Sequence, residues 1–255
     1  MGLHPGARPA RGVRTGPDRS GVLRATPART AAELRFFRSV PFSAATFTAV
    51  AAFGAFAGLL FLTTLYLQTV RGMSPLTAGL YLLPMAGVTA VVAPISGRIV
   101  GARGARLPLL VAGAGIALAG VLLTRLTDHT STGYLVLAFV IFGLGFGSVN
   151  APITNAAVSG MPRAQAGVAA SIASTSRQVG TCLGVAVMGS LVASGAGAPA
   201  EDFAAASRTC WWIMVGCGAV IGGLGWWATT GRAQQRATHI AAGFDETATG
   251  PVLTL

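Results

Sequence analysis

Six apolar runs, at about residues 43–68, 77–97, 107–126, 133–158, 167–194 and 210–229, constrain this chain more than any other feature. Each reaches or exceeds the roughly 20 residues that cross a hydrocarbon core as a helix. Lipid offers no water to an unpaired backbone N–H or C=O, so runs of this length must satisfy their own backbone groups as helices. The expectation is therefore an all-α, integral membrane protein with six transmembrane helices. The connections are short, which predicts that helices adjacent in sequence lie antiparallel and adjacent in space. Composition agrees. Only 10% of residues are charged and 53% are hydrophobic, against about 25% charged in an average soluble domain. The 35 glycines suit membrane helices, which tolerate glycine better than soluble ones do.

The flanks differ in character. Residues 1–32 are rich in Arg, Gly and Pro and poor in large apolar side chains, which predicts a disordered tail. A transit peptide would need an amphipathic helix that Pro5, Pro9, Pro17 and Pro27 oppose; a mis-assigned start codon is the other reading. Residues 33–42 alternate Leu34, Phe36 and Phe37 with Arg35 and Arg38, as an interfacial segment does. The six-helix domain then occupies 43–229, and 230–255 form a second tail. The net charge of +11 comes from 18 arginines and no lysine. Apart from Arg177, fourteen arginines fall on the side that holds both termini and three, Arg71, Arg125 and Arg208, on the other. The positive-inside rule makes the first side cytoplasmic. The arginines sit in tails and loops without an aromatic platform, so nucleic acid is not an expected partner.

The membrane-embedded polar residues carry what functional signal there is. The stretch STSRQVG, residues 174–180, places Arg177 about ten residues into the fifth run. A mid-helix arginine costs roughly 2.5–3.5 kcal/mol on insertion scales and needs a partner. All seven carboxylates and all three histidines lie outside the runs, so neither an ion-pair partner for Arg177 nor a proton relay is evident. Backbone carbonyls freed by proline, the side chains of Asn150, Asn155 and Gln178, or a carboxylate on another chain segment are the candidate partners. Two roles stay open for Arg177, helix pairing and contact with an anionic substrate group. Tyr66 and Gln68, at the end of the first run, join Asn150, Asn155, Arg177 and Gln178 as candidates to line a cavity. Pro84, Pro94 and Pro152 each remove a helix hydrogen bond and are candidate kinks. Gly143 and Gly147, Gly180 and Gly184, and Gly218 and Gly222 have the four-residue spacing that lets helices approach closely. Trp211, Trp212, Trp226 and Trp227 bracket the sixth run like interfacial anchors. The scattered Cys and His form no metal-ligand set, and Gly143-Leu-Gly-Phe-Gly lies in an apolar helix rather than after a strand. No metal, cofactor or enzymatic chemistry is expected.

Three stretches together carry a family resemblance: FLTTLYLQTVRGMSPLTAGLYLLP at 61–84, SGRIVGARGARLPLL at 96–110, and GLGFGSVNAPITNAAVSGMPRAQAGVAASIASTSRQVGTCLGVAVMG at 143–189. In order and spacing they resemble the C-terminal half of a major facilitator superfamily transporter, most nearly of the fourteen-helix drug:proton antiporters. The resemblance covers about residues 33–229 and implies a multi-pass protein of the cell membrane. It further implies multidrug efflux by alternating access, with small amphipathic substrates bound between this half and a second transporter half; a homodimer could in principle supply both. Gly97, Arg98, Gly104 and Arg106 match the family's cytoplasmic gating-loop signature, while Gly101 stands where that signature usually has Asp and Ala102 where it often has Arg. A non-transporting fragment and a six-helix scaffold or regulatory subunit are the alternatives.

Overall fold

The computed structural model describes residues 40–127, 129–158, 166–194 and 200–228. They form six helices: α1 (Val40–Leu65), α2 (Pro75–Arg103), α3 (Arg106–Leu123), α4 (Thr132–Val158), α5 (Ala166–Ser194) and α6 (Ala200–Ala228). A five-residue π-helical turn, Tyr66–Val70, closes α1. No strand occurs among the described residues. The two tails and the greater part of the 33–42 segment lie outside them.

Local chemistry sets the ends of α2. Ser74 caps it by accepting a hydrogen bond from the Thr77 N–H at 3.3 Å, and Pro75 takes the first position, where its missing N–H costs nothing. Gly104 ends it with φ +81°, a conformation that L side chains rarely adopt. The helix thus runs six residues past the apolar run. Gly97 and Arg98 belong to its last turns, and the α2–α3 loop is only Gly104 and Ala105.

Five helical stretches are long and apolar enough to cross a membrane: 42–70, 75–103, 106–123, 132–156 and 207–227. Helix α5 is not among them. It has 29 residues, but Ser171, Ser174, Thr175, Ser176, Arg177, Gln178 and Thr181 lower its hydropathy. Its place in the bundle comes from packing along α1.

The expectation that consecutive helices pack together is corrected. Only α3 and α4 do so extensively; the other major pairs are α1 with α5, α2 with α4, and α3 with α6. The first two pairs run parallel. Val50, Gly54 and Gly58 meet Gly180, Gly184 and Met188 in ascending order, and Met85, Thr89 and Val92 likewise ascend against Gly143 and Gly147. Short loops fix only direction of travel; close backbone approach selects the partner. All three glycine pairs noted in the sequence lie at these contacts. A Cβ on Gly180 would stand 2.5 Å from Val50 O, one on Gly143 2.6 Å from Met85 O, and one on Gly218 2.5 Å from the Ala117 nitrogen. In lipid there is little hydrophobic drive between helices, so such contacts stand in for it.

Helices α2 and α4 continue unbroken through Pro84, Pro94 and Pro152. Pro152 has no N–H to give the carbonyl of Ser148, four residues earlier. Ser96 Oγ, reaching across from α2, donates to that oxygen at 2.8 Å in a buried contact. Membrane helices commonly keep a proline in this way. Trp211 departs from the anchor reading, being 1% exposed inside the bundle, whereas Trp212, Trp226 and Trp227 face outward. Its position follows from the α3–α6 contact, where a Cβ on Gly120 would lie 3.2 Å from Trp211 O.

Candidate functional site

Parallel packing of α1 and α5 leaves an open groove of about 520 Å3 between them. Its apolar wall includes Phe56, Leu60 and Phe61 from α1 and Val185 from α5; Thr64, Gln68 and Thr181 supply hydroxyl and amide groups. Gln68 sits in the π-helical turn, a form often found at functional sites. The groove is therefore amphipathic, with polar groups that can hold an orientation and an apolar majority that can hold almost any shape.

Tyr66, two residues from Gln68, is placed differently. It is 3% exposed, and its hydroxyl donates to Thr127 O at 2.5 Å. Arg71 reaches the same loop, donating to Thr130 O, and its guanidinium carbon lies 5.9 Å from the Tyr66 ring centroid. These contacts tie the end of α1 to the α3–α4 loop, and Tyr66 is not part of the groove lining.

Arg177 lies one helical turn below Thr181 on the stripe of α5 that also carries Val185, since residues four apart share a helix face. Its Nη2 donates to Thr154 Oγ1 on α4 at 2.8 Å, and Thr154 in turn donates to Asn150 O at 3.1 Å. Its guanidinium carbon stands 5.7 Å from the centre of the Phe53 ring on α1. Nε is buried with no hydrogen-bond partner. One neutral hydroxyl and one aromatic face thus hold a charge that no carboxylate among the described residues neutralises. Asn150 is half-buried, Asn155 and Gln178 are exposed, and none of their side chains bonds Arg177. Thr154, rather than these amides, is the partner; its place two residues after Pro152 and its capacity for an interhelical hydrogen bond are plain in the sequence, but its pairing with Arg177 was not readable without the packing.

Phe53 also begins an aromatic ladder. It meets Phe146 edge-on at 5.2 Å, Phe56 stacks on Phe146 at 4.3 Å, and Phe142 lies 6.0 Å from Phe146. The ladder joins α1 to α4 and connects the Arg177 end of the site to Phe56 in the groove wall. Its sequence signal was present in Phe53/Phe56 and Phe142/Phe146, spaced three and four apart so that each pair shares a face.

The residues of the candidate gating loop are not part of this site. Gly97 and Arg98 are exposed on α2, and a Cβ on Gly97 would make only an ordinary 3.9 Å contact with Ala151. Arg106, after the Gly104 turn, places its guanidinium carbon 4.2 Å from the centre of the Trp226 ring. It ties the start of α3 to the end of α6.

Comparison with known proteins adds independent findings. Residues 5–185 match the family model described as Major Facilitator Superfamily. The chain is 41% identical over 172 residues to the tetracenomycin C resistance and export protein of Streptomyces glaucescens, covering 64% of this chain and 30% of that one. It is 36% identical over 162 residues to the multidrug resistance protein Stp of Mycobacterium tuberculosis, with the same two coverages. The methylenomycin A resistance protein of Streptomyces coelicolor is 31% identical over 214 residues, covering 82% of this chain and 42% of that one. The matched region thus spans about a third of the length of these curated relatives.

Proposed function

Because this chain belongs to the Major Facilitator Superfamily, we propose that it forms one half of a membrane transporter that exports small amphipathic molecules. The observation that carries this reading is the α1–α5 groove, whose apolar walls and few polar groups suit one side of a cavity shared with a second half. The family is one of transporters, and the role assigned here is non-covalent binding and movement. Alternating access would arise as this bundle rocks against the other half about a site near mid-membrane. The relatives named for drug resistance and export support the substrate class, and their greater length supports a second half.

The surface of α2 fits the same picture. Only 11% of its most apolar window is buried, against 56% for α4. Leu76, Leu80, Leu83, Val91 and Ile95 point away from the bundle, and such a face needs lipid or another bundle against it. The arginine distribution supports placing both termini in the cytoplasm of a cell-membrane protein. Gly97 and Arg98 in the last turns of α2, Gly104 in the turn and Arg106 at the start of α3 belong in this proposal as the cytoplasmic end of this helix pair. Arg106 there holds α6 through Trp226.

The test is flux in proteoliposomes containing this chain, alone and with any membrane chain that co-purifies. A panel of neutral, cationic and anionic fluorescent amphiphiles is used. Net export of at least one, abolished when Thr181→Trp fills the groove, is expected. Flux indistinguishable from empty vesicles under both conditions, or unaffected by Thr181→Trp, would sink the reading.

A further inference from the structure

We infer that Arg177 is the receptor for the carboxylate of an amphipathic acid whose apolar body lies in the α1–α5 groove. This rests on the groove being the substrate-facing wall proposed above. An arginine presents five N–H donors in a planar fork. Here a single hydrogen bond, to the neutral Thr154 hydroxyl, engages it, and Nε is enclosed without an acceptor. Every carboxylate in the sequence lies outside the apolar runs. A cation at this depth is costly without an anion nearby, and the fork geometry suits a carboxylate bound through two parallel hydrogen bonds.

The placement selects a ligand that has an apolar body as well as an acid group. Arg177, Thr181 and Val185 are four apart and form one stripe, so the Arg177 Cα stands roughly 6 Å below that of Thr181 and 12 Å below that of Val185 along α5. Phe53 beneath the guanidinium and Phe56 in the groove wall form the matching stripe on α1, three residues apart. A molecule with its acid group at Arg177 would lay its apolar portion against Phe56, Leu60 and Val185. Thr154 and Phe53 hold the guanidinium from α4 and α1, and no hydrogen bond engages Nη1 among the described residues. Because both supports are neutral, the site keeps its full positive charge for the ligand.

The experiment uses the purified chain in zwitterionic nanodiscs with 11-(dansylamino)undecanoic acid and its methyl ester, read by dansyl fluorescence. The two probes share an apolar body and differ only in charge at one end. The acid is expected to bind wild type about tenfold or more tighter than the ester. In Arg177→Gln the two should bind alike, at the affinity of the ester for wild type, which also shows that the groove is intact. Arg177→Lys should keep part of the preference, and Arg125→Gln, outside the groove, all of it. If acid and ester bind wild type equally, the proposal fails while the groove reading survives, and the anion for Arg177 is then a carboxylate of the second half. A preference that persists in Arg177→Gln also overturns it. Binding of neither probe removes the proposal and the groove reading together. Should Arg177→Gln bind nothing, Arg177→Lys decides: a reduced acid preference with ester binding retained supports the inference, and an undiminished preference refutes it.

Discussion

Replacing Gly184 by alanine adds one methyl group at the α1–α5 contact, and the structure gives it nowhere to go. The new Cβ would overlap Gly54 O and lie 2.8 Å from the Gly54 carbonyl carbon and Cα. These are backbone atoms, so no side-chain rotation relieves the clash and the two helices must part. Overpacking of this kind costs about 1–3 kcal/mol. Alanine is also the better helix former, by about 0.8–1.0 kcal/mol over glycine. The control that removes this second effect is Gly216→Ala on α6, where a Cβ meets nothing within 4 Å. Both variants gain the helix preference, so the difference between them isolates the packing effect. Gly184→Ala should be less stable than Gly216→Ala by about 1–3 kcal/mol. The assay is reversible unfolding in mixed micelles by titration with a denaturing detergent. It is followed by fluorescence of the tryptophans, all of which lie on α6. Equal stability of the two variants would refute the view that glycine contact holds α1 to α5.

Other outcomes follow from single contacts. Ser96→Ala should destabilise the bundle by about 1–3 kcal/mol, because Ser148 O is left buried and unpaired. In a Pro152→Ala background, where residue 152 regains its N–H, the same substitution should cost close to nothing, and a double-mutant cycle in the same unfolding assay checks this. Tyr66→Phe removes the hydroxyl that reaches Thr127 O and should cost about 0.5–1.5 kcal/mol, with faster hydrogen exchange confined to the α3–α4 loop and the π-helical turn. Arg106→Gln loses the contact with the Trp226 ring and should cost about 0.5–1 kcal/mol, seen as a shift of tryptophan emission.

Six membrane-length apolar runs with small flanking loops determined the number, type and approximate limits of the helices, because a backbone in lipid has few other choices. The same sequence pointed to the pairs Gly143/Gly147, Gly180/Gly184 and Gly218/Gly222 as contact points and to Arg177 as an unusual charge. Neither glycine spacing nor loop length names a partner, however. Which helix a glycine faces depends on the rotation and crossing of both helices, and the structure joins α1 to α5 and α2 to α4 across intervening elements. That choice creates the groove, brings Thr154 and Phe53 to Arg177 from two other helices, and sets Ser96 beside the carbonyl that Pro152 leaves unpaired. It also separates Tyr66, turned to the α3–α4 loop, from Gln68 in the groove, though the two are only two residues apart. Local sequence thus determined the helices, because each satisfies its own backbone, while their side-chain partners come from distant segments and were decided only by the tertiary packing.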